Sequence, residues 1–309
     1  MAAVAYADGA RTTPPSREKR RRQRLPLILI APSIILLTAL VAFPLVFSLR
    51  NSFYFWNLQM SPKPLGFIGL GNYRAAIEQS DFVEALRHTL TIAVVGTAIE
   101  VALGLAIAHL LAVRLVGMNF CRALLIMPTT IAPIVTGFLF RYMYDAQGGL
   151  IPWLIRTAHL PLPAQGLLGN EHTALWAVLA ADIWQWTPFC AIVLFAGLLS
   201  VPDEIVEAAR IDGAGGWTIL RRITIPMIRK PMAFVAALRL MQIFNLFDLV
   251  LVLTRGGPGS ASRTLSYNLY QQGLVDFNIG LSSASTWLIV IIVNVLIALF
   301  AVFAFKDIV

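Results

Sequence analysis

Apolar positions in this chain come in long unbroken blocks, not in the alternation of a half-buried strand or the narrow stripe of a surface helix. No charge interrupts Leu25 to Leu49, and further apolar segments follow at about 88 to 113, 122 to 142, 173 to 199, 231 to 254 and 281 to 305. A helix needs about 20 apolar residues to cross roughly 30 Å of hydrocarbon. Each block is long enough, so the pattern predicts six membrane-spanning helices and an all-α polytopic fold. Pro26, Pro32, Pro44, Pro128, Pro133 and Pro188 fall within the blocks. Neighbouring helices and hydroxyl side chains can satisfy the carbonyls these prolines free.

Composition points the same way. Of 309 residues 58% are hydrophobic and 13% charged, with mean hydropathy +0.75; soluble domains are nearer 45–50% apolar and about 25% charged. This excludes an ordinary soluble enzyme. The net charge of +8 matters through its location. Seven of the 24 Lys and Arg residues precede Leu25, and Arg17, Lys19, Arg20, Arg21, Arg22 and Arg24 stand directly ahead of the first block. That is the cytoplasmic flank of a first spanning helix, not a nucleic-acid site. A signal peptide shares the basic start, but the block is long and lacks a small-x-small cleavage site after it, so it reads as a retained helix. With the 1–24 tail inside, six crossings return the C-terminus to the cytoplasmic side. Inside segments then hold 15 Lys or Arg, including Arg114 and Lys306, outside segments hold eight, and Arg239 lies within the fifth block. Cys121 and Cys190 fall on different segments; with His88, His109, His159 and His172 scattered, neither a disulfide nor a metal site is expected.

One inside loop is more than a linker. Residues 200–230, SVPDEIVEAARIDGAGGWTILRRITIPMIRK, are too charged to cross. Ser200 is a candidate cap, Pro202 suits a first helical turn, and Asp203 with Glu204 complements the helix dipole. Ile205, Ala208, Ala209 and Ile211 make an apolar side, Gly213, Gly215 and Gly216 break it, and Trp217, Leu220 and Ile223 restart a stripe that Pro226 should end. The pattern predicts a helix, glycine turn, helix unit. On its basic residues Arg221, Arg222, Arg229 and Lys230, an interfacial helix lying on lipid headgroups is the competing reading.

The spacing in this loop adds a resemblance. Glu207-Ala208-Ala209, three residues, Gly213, then nine residues to Ile223 and Ile225-Pro226 resembles the E-A-A, x3, G, x9, I-x-L-P loop of ATP-binding-cassette importer permeases, with Ile225 in place of Leu. Further stretches resemble the sugar-permease branch, related to the maltose-type and glycerol-phosphate-type importers: APSIILL and FPLVFSLRNSF, FIGLGNYRAAI, RALLIMPTTIAPIVTGFLFRYMY, DIWQWTPF and FDLVLVLTRGGPG. They extend over nearly all of the chain beyond the tail. The resemblance implies a type I importer permease fold in a bacterial inner membrane, a second permease subunit in a heterodimer, and an extracytoplasmic sugar-binding protein. It also implies a cytosolic ATPase dimer that binds ATP and Mg, because this chain has no G-x-x-x-x-G-K-[ST] loop. No cofactor or metal is expected on the chain itself. In this resemblance Glu207, Ala208, Ala209, Arg210, Asp212 and Gly213 form the coupling helix. Its small alanines allow close approach, Gly213 allows reversal, and Glu207 offers a carboxylate to the partner.

Polar residues inside spans are costly and tend to face a bundle interior or a wet cavity. Asp182, Trp184, Gln185, Trp186 and Thr187 in the fourth block, with Gln242, Asn245 and Asp248 in the fifth, combine hydrogen-bonding groups with aromatic faces, as a sugar pathway requires. Polar contacts between helices are the competing role for each. Glu100 and His109, nine residues apart on one helix, do not share a face and read as packing or partner-facing residues. Arg239 either pairs with a carboxylate or lines the inner pathway. A membrane enzyme would require a nucleophile or carboxylate-metal cluster, and a secondary transporter would require matched broken helices in two halves; neither pattern is seen. The cargo is read as a sugar, with a polyol or glycerophosphodiester as alternatives.

Overall fold

A computed structural model describes residues 17–113 and 117–305. The tail before Arg17, Arg114 and Lys306, all counted above among inside segments, lies outside the described residues. One compact unit ends at Arg50 and a second begins at Asn51. The first contains all but the last residue of α1 (Arg17–Asn51), a 35-residue helix that starts eight residues ahead of the apolar block. Lys and Arg are good helix formers, and nothing before Pro26 breaks the turn.

The second unit opens with a two-stranded antiparallel hairpin, β1 (Tyr54–Phe55) and β2 (Gly66–Phe67), pairing Tyr54 with Phe67. It is followed by α2 (Gly71–Glu78) and α3 (Ser80–Thr91). The side-chain amide of Asn72 donates to the carbonyls of Ser52 and Tyr54 at 2.9 and 2.8 Å, fixing the hairpin to α2. A widened turn at Ile92–Gly96 joins α3 to α4 (Thr97–Ala112), giving one continuous helical segment from Ser80 to Ala112.

Next come α5 (Met118–Thr130) and α6 (Pro133–Met143), bent by 95°. Pro128 removes one backbone donor near the end of α5, and Pro133 starts α6 in its first turn, so the chain turns sharply where the sequence suggested a straight, continuous span. After Tyr144, backbone N–H groups of Gly148 and then Gln147 donate to the Asp145 carboxyl and hold its pKa below the ordinary aspartate range. A short α7 (Leu150–Thr157) leads to α8 (Ala174–Leu198), which carries Pro188 internally.

Beyond α8 lie α9 (Asp203–Ile211), α10 (Gly216–Ile219), a widened turn at Leu220–Thr224 and α11 (Ile225–Met227). The helical path therefore passes Pro226 and breaks at Ile228 instead; the wider turn before the proline displaces the carbonyls its ring would strike. The chain then forms α12 (Arg229–Ile243), α13 (Asp248–Leu253), α14 (Leu265–Tyr270) and α15 (Ile279–Phe305).

Among the described residues four helices are long and apolar enough to cross a membrane, or five if the bent α5–α6 pair is one span. The fifth expected span is absent as a single helix, because residues 244–247 divide it into α12 and α13. Neither Pro nor Gly marks that break. Its freed carbonyls are satisfied from afar: Thr264 Oγ1 donates to Leu246 O at 2.8 Å, and Ser266 Oγ donates to Phe244 O.

The core gathers α8 with α4, α6, α12 and α13. Ile92, Val178, Leu179, Ile243, Leu249 and Val250 are buried there, and Tyr144 Oη closes one edge by donating to Ala177 O at 2.9 Å. Helices in lipid gain little from apolar burial against one another and depend on close packing. Along α4 the small residues supply it: a Cβ built on Gly104 would lie 2.8 Å from Cys190 Cβ and 3.0 Å from the Ala191 nitrogen. Cys121 and Cys190 are both free thiols.

This contact generates a test. Gly104→Val should destabilise the purified chain by about 1–3 kcal/mol through overpacking, read as a lowered thermal midpoint in detergent. Gly66→Ala, where a Cβ meets nothing within 4 Å, should change it by less than about 0.5 kcal/mol. Equal midpoints for the two variants would show that the α4–α8 approach does not limit stability.

Candidate functional site

Glu100 sits four residues from both Gly96 and Gly104, on the stripe that continues to Ala108. Built on Gly96, a Cβ would come within 2.9 Å of Leu179. The small residues thus bring α4 against α8 and carry the Glu100 carboxylate into the packed centre. There it meets Arg239 of α12 and Asp182 of α8.

The Arg239 guanidinium makes four hydrogen bonds. Nε donates to Glu100 Oε2 at 2.6 Å, Nη2 to Glu100 Oε1 at 2.8 Å and to Asp182 Oδ2 at 2.6 Å, and Nη1 to Gln242 Oε1 at 2.9 Å. Its face lies over Trp186, 4.9 Å from the ring centroid. Glu100, Asp182 and Arg239 are 0%, 2% and 1% exposed. A planar fork is the only cationic side chain that can hold one carboxylate by two bonds and still reach a second. Removing one partner of such a buried group typically costs about 3–5 kcal/mol.

A cavity of about 210 Å³ opens beside this cluster, lined among others by Asp182, Gln185, Trp186, Gln242, Asn245 and Asp248. Six of the eight residues read as a sugar pathway therefore meet. Gln185 Nε2 donates to Ile131 O at 2.8 Å, at the α5–α6 bend, and leaves Oε1 without a partner. Asn245, in the break between α12 and α13, is exposed. Thr187 and Trp184 stand off the lining: Thr187 is buried with its hydroxyl unpartnered, and Trp184 packs edge-on to Phe140 at 5.3 Å.

One participant escaped the sequence reading. Glu100 was set aside as packing or partner-facing, yet it holds Arg239; the signal was the four-residue spacing of Gly96, Glu100, Gly104 and Ala108. For Arg239, the structure selects the pairing with a carboxylate. His109 is half-buried and bonds its own helix, Nδ1 lying 3.0 Å from Leu105 O.

The 200–230 loop makes a second site. Glu207, Ala208 and Arg210 on α9, with Asp212 and Gly213 after it, are exposed, and Ala209 is half-buried. Pro202 stands just before α9, not within its first turn, and Ser200 does not cap it: its hydroxyl donates to Gly197 O at 2.7 Å at the end of α8. Gly213 takes φ +83°, while its N–H donates to Arg210 O at 3.0 Å and that of Ala214 to Ala209 O at 2.9 Å. This paired closure of a helix end requires a left-handed residue after the cap, which glycine adopts without strain. Beyond the turn, Trp217 is 72% exposed, and Ile211 before it is 86% exposed. An apolar, glycine-articulated knob therefore projects from the helical bundle. Among the described residues no group of three His, Cys, Asp or Glu side chains has metal-binding geometry.

Known proteins are similar to this chain in sequence and in fold. The family described as binding-protein-dependent transport system inner membrane component matches residues 100–306. A probable ABC transporter permease of Sinorhizobium fredii is 34% identical over 279 residues, covering 89% of each chain. A trehalose transport system permease of Mycobacterium tuberculosis is 33% identical, over 86% of this chain and 84% of its own. Among solved structures, a bacterial ABC transporter involved in import of the acidic polysaccharide alginate superimposes with a TM-score of 0.79 at 18% identity, over 94% of this chain and 98% of that one.

The cluster yields an expected outcome. Arg239→Ala should lower the stability of the purified chain by about 3–5 kcal/mol, and Arg239→Lys by less, since an ammonium keeps the charge but loses the fork. Thermal midpoints in detergent measure both. A wild-type midpoint for Arg239→Ala would show that the three helices hold without the cluster.

Proposed function

The chain belongs to the family of binding-protein-dependent transport system inner membrane components, and from that membership we propose that it is one of two permease subunits of an ATP-driven sugar importer. The observation that carries this reading is the exposed α9–α10 loop, with the E-A-A spacing ending on a left-handed Gly213. Glu207, Ala208, Ala209, Arg210, Asp212 and Gly213 dock into a cytosolic ATPase dimer, which binds ATP and Mg and supplies the work. This chain carries no cofactor. A second, different permease subunit completes the pathway, and an extracytoplasmic sugar-binding protein delivers the cargo.

In this reading the α5–α6 pair is one bent span and α12–α13 one broken span, giving six crossings with both termini cytoplasmic. Broken helices at membrane depth are tolerated where they line a cavity. Gln185, Trp186, Gln242, Asn245 and Asp248 line this subunit's share of the pathway beside Asp182. A sugar is favoured because the lining mixes amides with an indole face, and the trehalose permease relative supports it. Carboxylates of Asp182 and Asp248 against the single guanidinium of Arg239 disfavour an anionic cargo such as a glycerophosphodiester; a neutral polyol remains the alternative.

Reconstitution with the ATPase, second permease and binding protein from neighbouring reading frames tests this. Gly213→Pro, which cannot adopt φ +83°, and Glu207→Ala should each cut sugar uptake by on the order of tenfold or more, about 1.4 kcal/mol of coupling, and separate it from ATP hydrolysis. Asn245→Leu should change uptake while basal hydrolysis stays at the wild-type rate. Normal uptake by the Glu207→Ala, Gly213→Pro double variant would sink the coupling assignment.

A further inference from the structure

A second hollow, of about 500 Å³, lies against α12, α14 and α15, within the range of small-molecule sites, about 300–1,000 Å³. Gln242 and Asn245 line it and also line the cavity beside Arg239, so the two spaces adjoin along that stretch of chain. Its α15 wall is one helical face, with Thr286, Val290 and Asn294 recurring every four residues. Asn245 and Asn294 are exposed, and Gln242 and Thr286 are half-buried. An amide open on a spanning helix is costly against lipid tails, which offer it no hydrogen bond, so polar residues of this kind face protein or a wet cavity.

The polar groups of this wall keep capacity for a guest. Gln242 Oε1 accepts from Arg239, leaving the amide nitrogen to donate. Asn294 Nδ2 donates to Val290 O at 2.8 Å, leaving the side-chain oxygen to accept. Thr286 Oγ1 donates to Ser282 O at 2.8 Å and keeps its lone pairs. No hydrogen bond engages the Asn245 side chain among the described residues. No charged side chain lines the hollow, so an ionic guest would lose its water without gaining a counter-charge. An acyl chain would leave the amides unpaired. Hydroxyls both donate and accept, and Leu238 and Val290 beside the amides suit a carbon face between hydroxyl edges.

We propose that this hollow is a second sugar station, in which α15 takes part through Thr286 and Asn294: a neutral sugar or polyol moves into it from the cavity beside Arg239, past Gln242 and Asn245, which border both. The proposal rests on the importer reading. The shared border favours cargo over a helix of the second permease subunit as the occupant, since a helix seated there would close the way between the two spaces.

Thiol labelling of the whole complex in lipid nanodiscs tests it. In a Cys121→Ser background, where the remaining Cys190 is buried, Asn294→Cys should react with the water-soluble reagent methanethiosulfonate ethyltrimethylammonium. Val295→Cys, exposed but off the lining, should not. Trehalose or sorbitol should slow the Asn294→Cys reaction roughly tenfold at about ten times its Kd, and glycerol 3-phosphate should leave it unchanged. Thr286→Val should weaken that protection roughly fivefold, the worth of about one hydrogen bond. In vesicles, Val290→Trp, which fills the hollow from its wall, should cut uptake of the protecting sugar roughly tenfold or more, about 1.4 kcal/mol. An unreactive Asn294→Cys, which would place a partner helix or lipid over it, overturns the proposal, as does a reaction that neither sugar slows. Wild-type uptake by Val290→Trp overturns it too, and the labelling result stands even where that variant fails to fold. Protection in a complex that moves neither sugar would keep the binding site and remove the importer reading.

Discussion

Everything central in this molecule is arranged around a guanidinium that cannot be left alone. Arg239 is buried among packed helices, and an uncompensated charge there is costly. Glu100 supplies a two-pronged acceptor from α4, Asp182 a second carboxylate from α8, Gln242 an amide from its own helix, and Trp186 an aromatic face. The bonds to Glu100 and Asp182 tie α4 and α8 to α12 in rotation and depth. In lipid, where apolar side chains gain little by leaving their surroundings, such a polar hub specifies register more sharply than shape alone. The close α4–α8 approach through Gly96 and Gly104 is the condition for it, because a larger side chain would hold the carboxylate away from the fork.

The hub also explains where the backbone can be irregular. Chain that is not helical must find partners for its own amides and carbonyls at membrane depth. At the α5–α6 bend Gln185 reaches Ile131 O, and at the α12–α13 break Thr264 and Ser266 return from a distant segment to cover Leu246 and Phe244. Both irregular points border the cavity beside Arg239. Polar side chains there have two duties, closing the backbone and lining a space, and the same Gln185 does both.

The α9–α10 loop follows a different logic. Its shape is set locally, by acidic residues at the start of α9 and a left-handed glycine at its end. Its surface is unfinished: Ile211 and Trp217 lie open in a segment too charged to enter lipid. An exposed apolar surface of this kind suits docking to another protein, which is how the importer reading uses it.

Sequence alone determined what depends on neighbours along the chain. Apolar blocks of spanning length established a helical membrane protein, and the E-A-A spacing with Gly213 marked a helix ended by a glycine reversal, because helix length, capping and positive φ are local properties. Tertiary structure decided what depends on neighbours in space. Glu100 and Arg239 are 139 positions apart, and no periodicity in either segment announces their pairing, although small residues at four-residue spacing from Glu100, at Gly96, Gly104 and Ala108, mark a buried face. The division of the fifth block at residues 244–247 has no proline or glycine to betray it; it exists because hydroxyls from residues 264 and 266 stand ready to replace the helical hydrogen bonds. Ser200 was misjudged as a cap because α9 begins later, at Asp203, with Pro202 in the cap position, and its hydroxyl donates to Gly197 O at the end of α8 instead. Polar groups in a membrane choose partners across helices, and only the packed chain shows which partners are in reach.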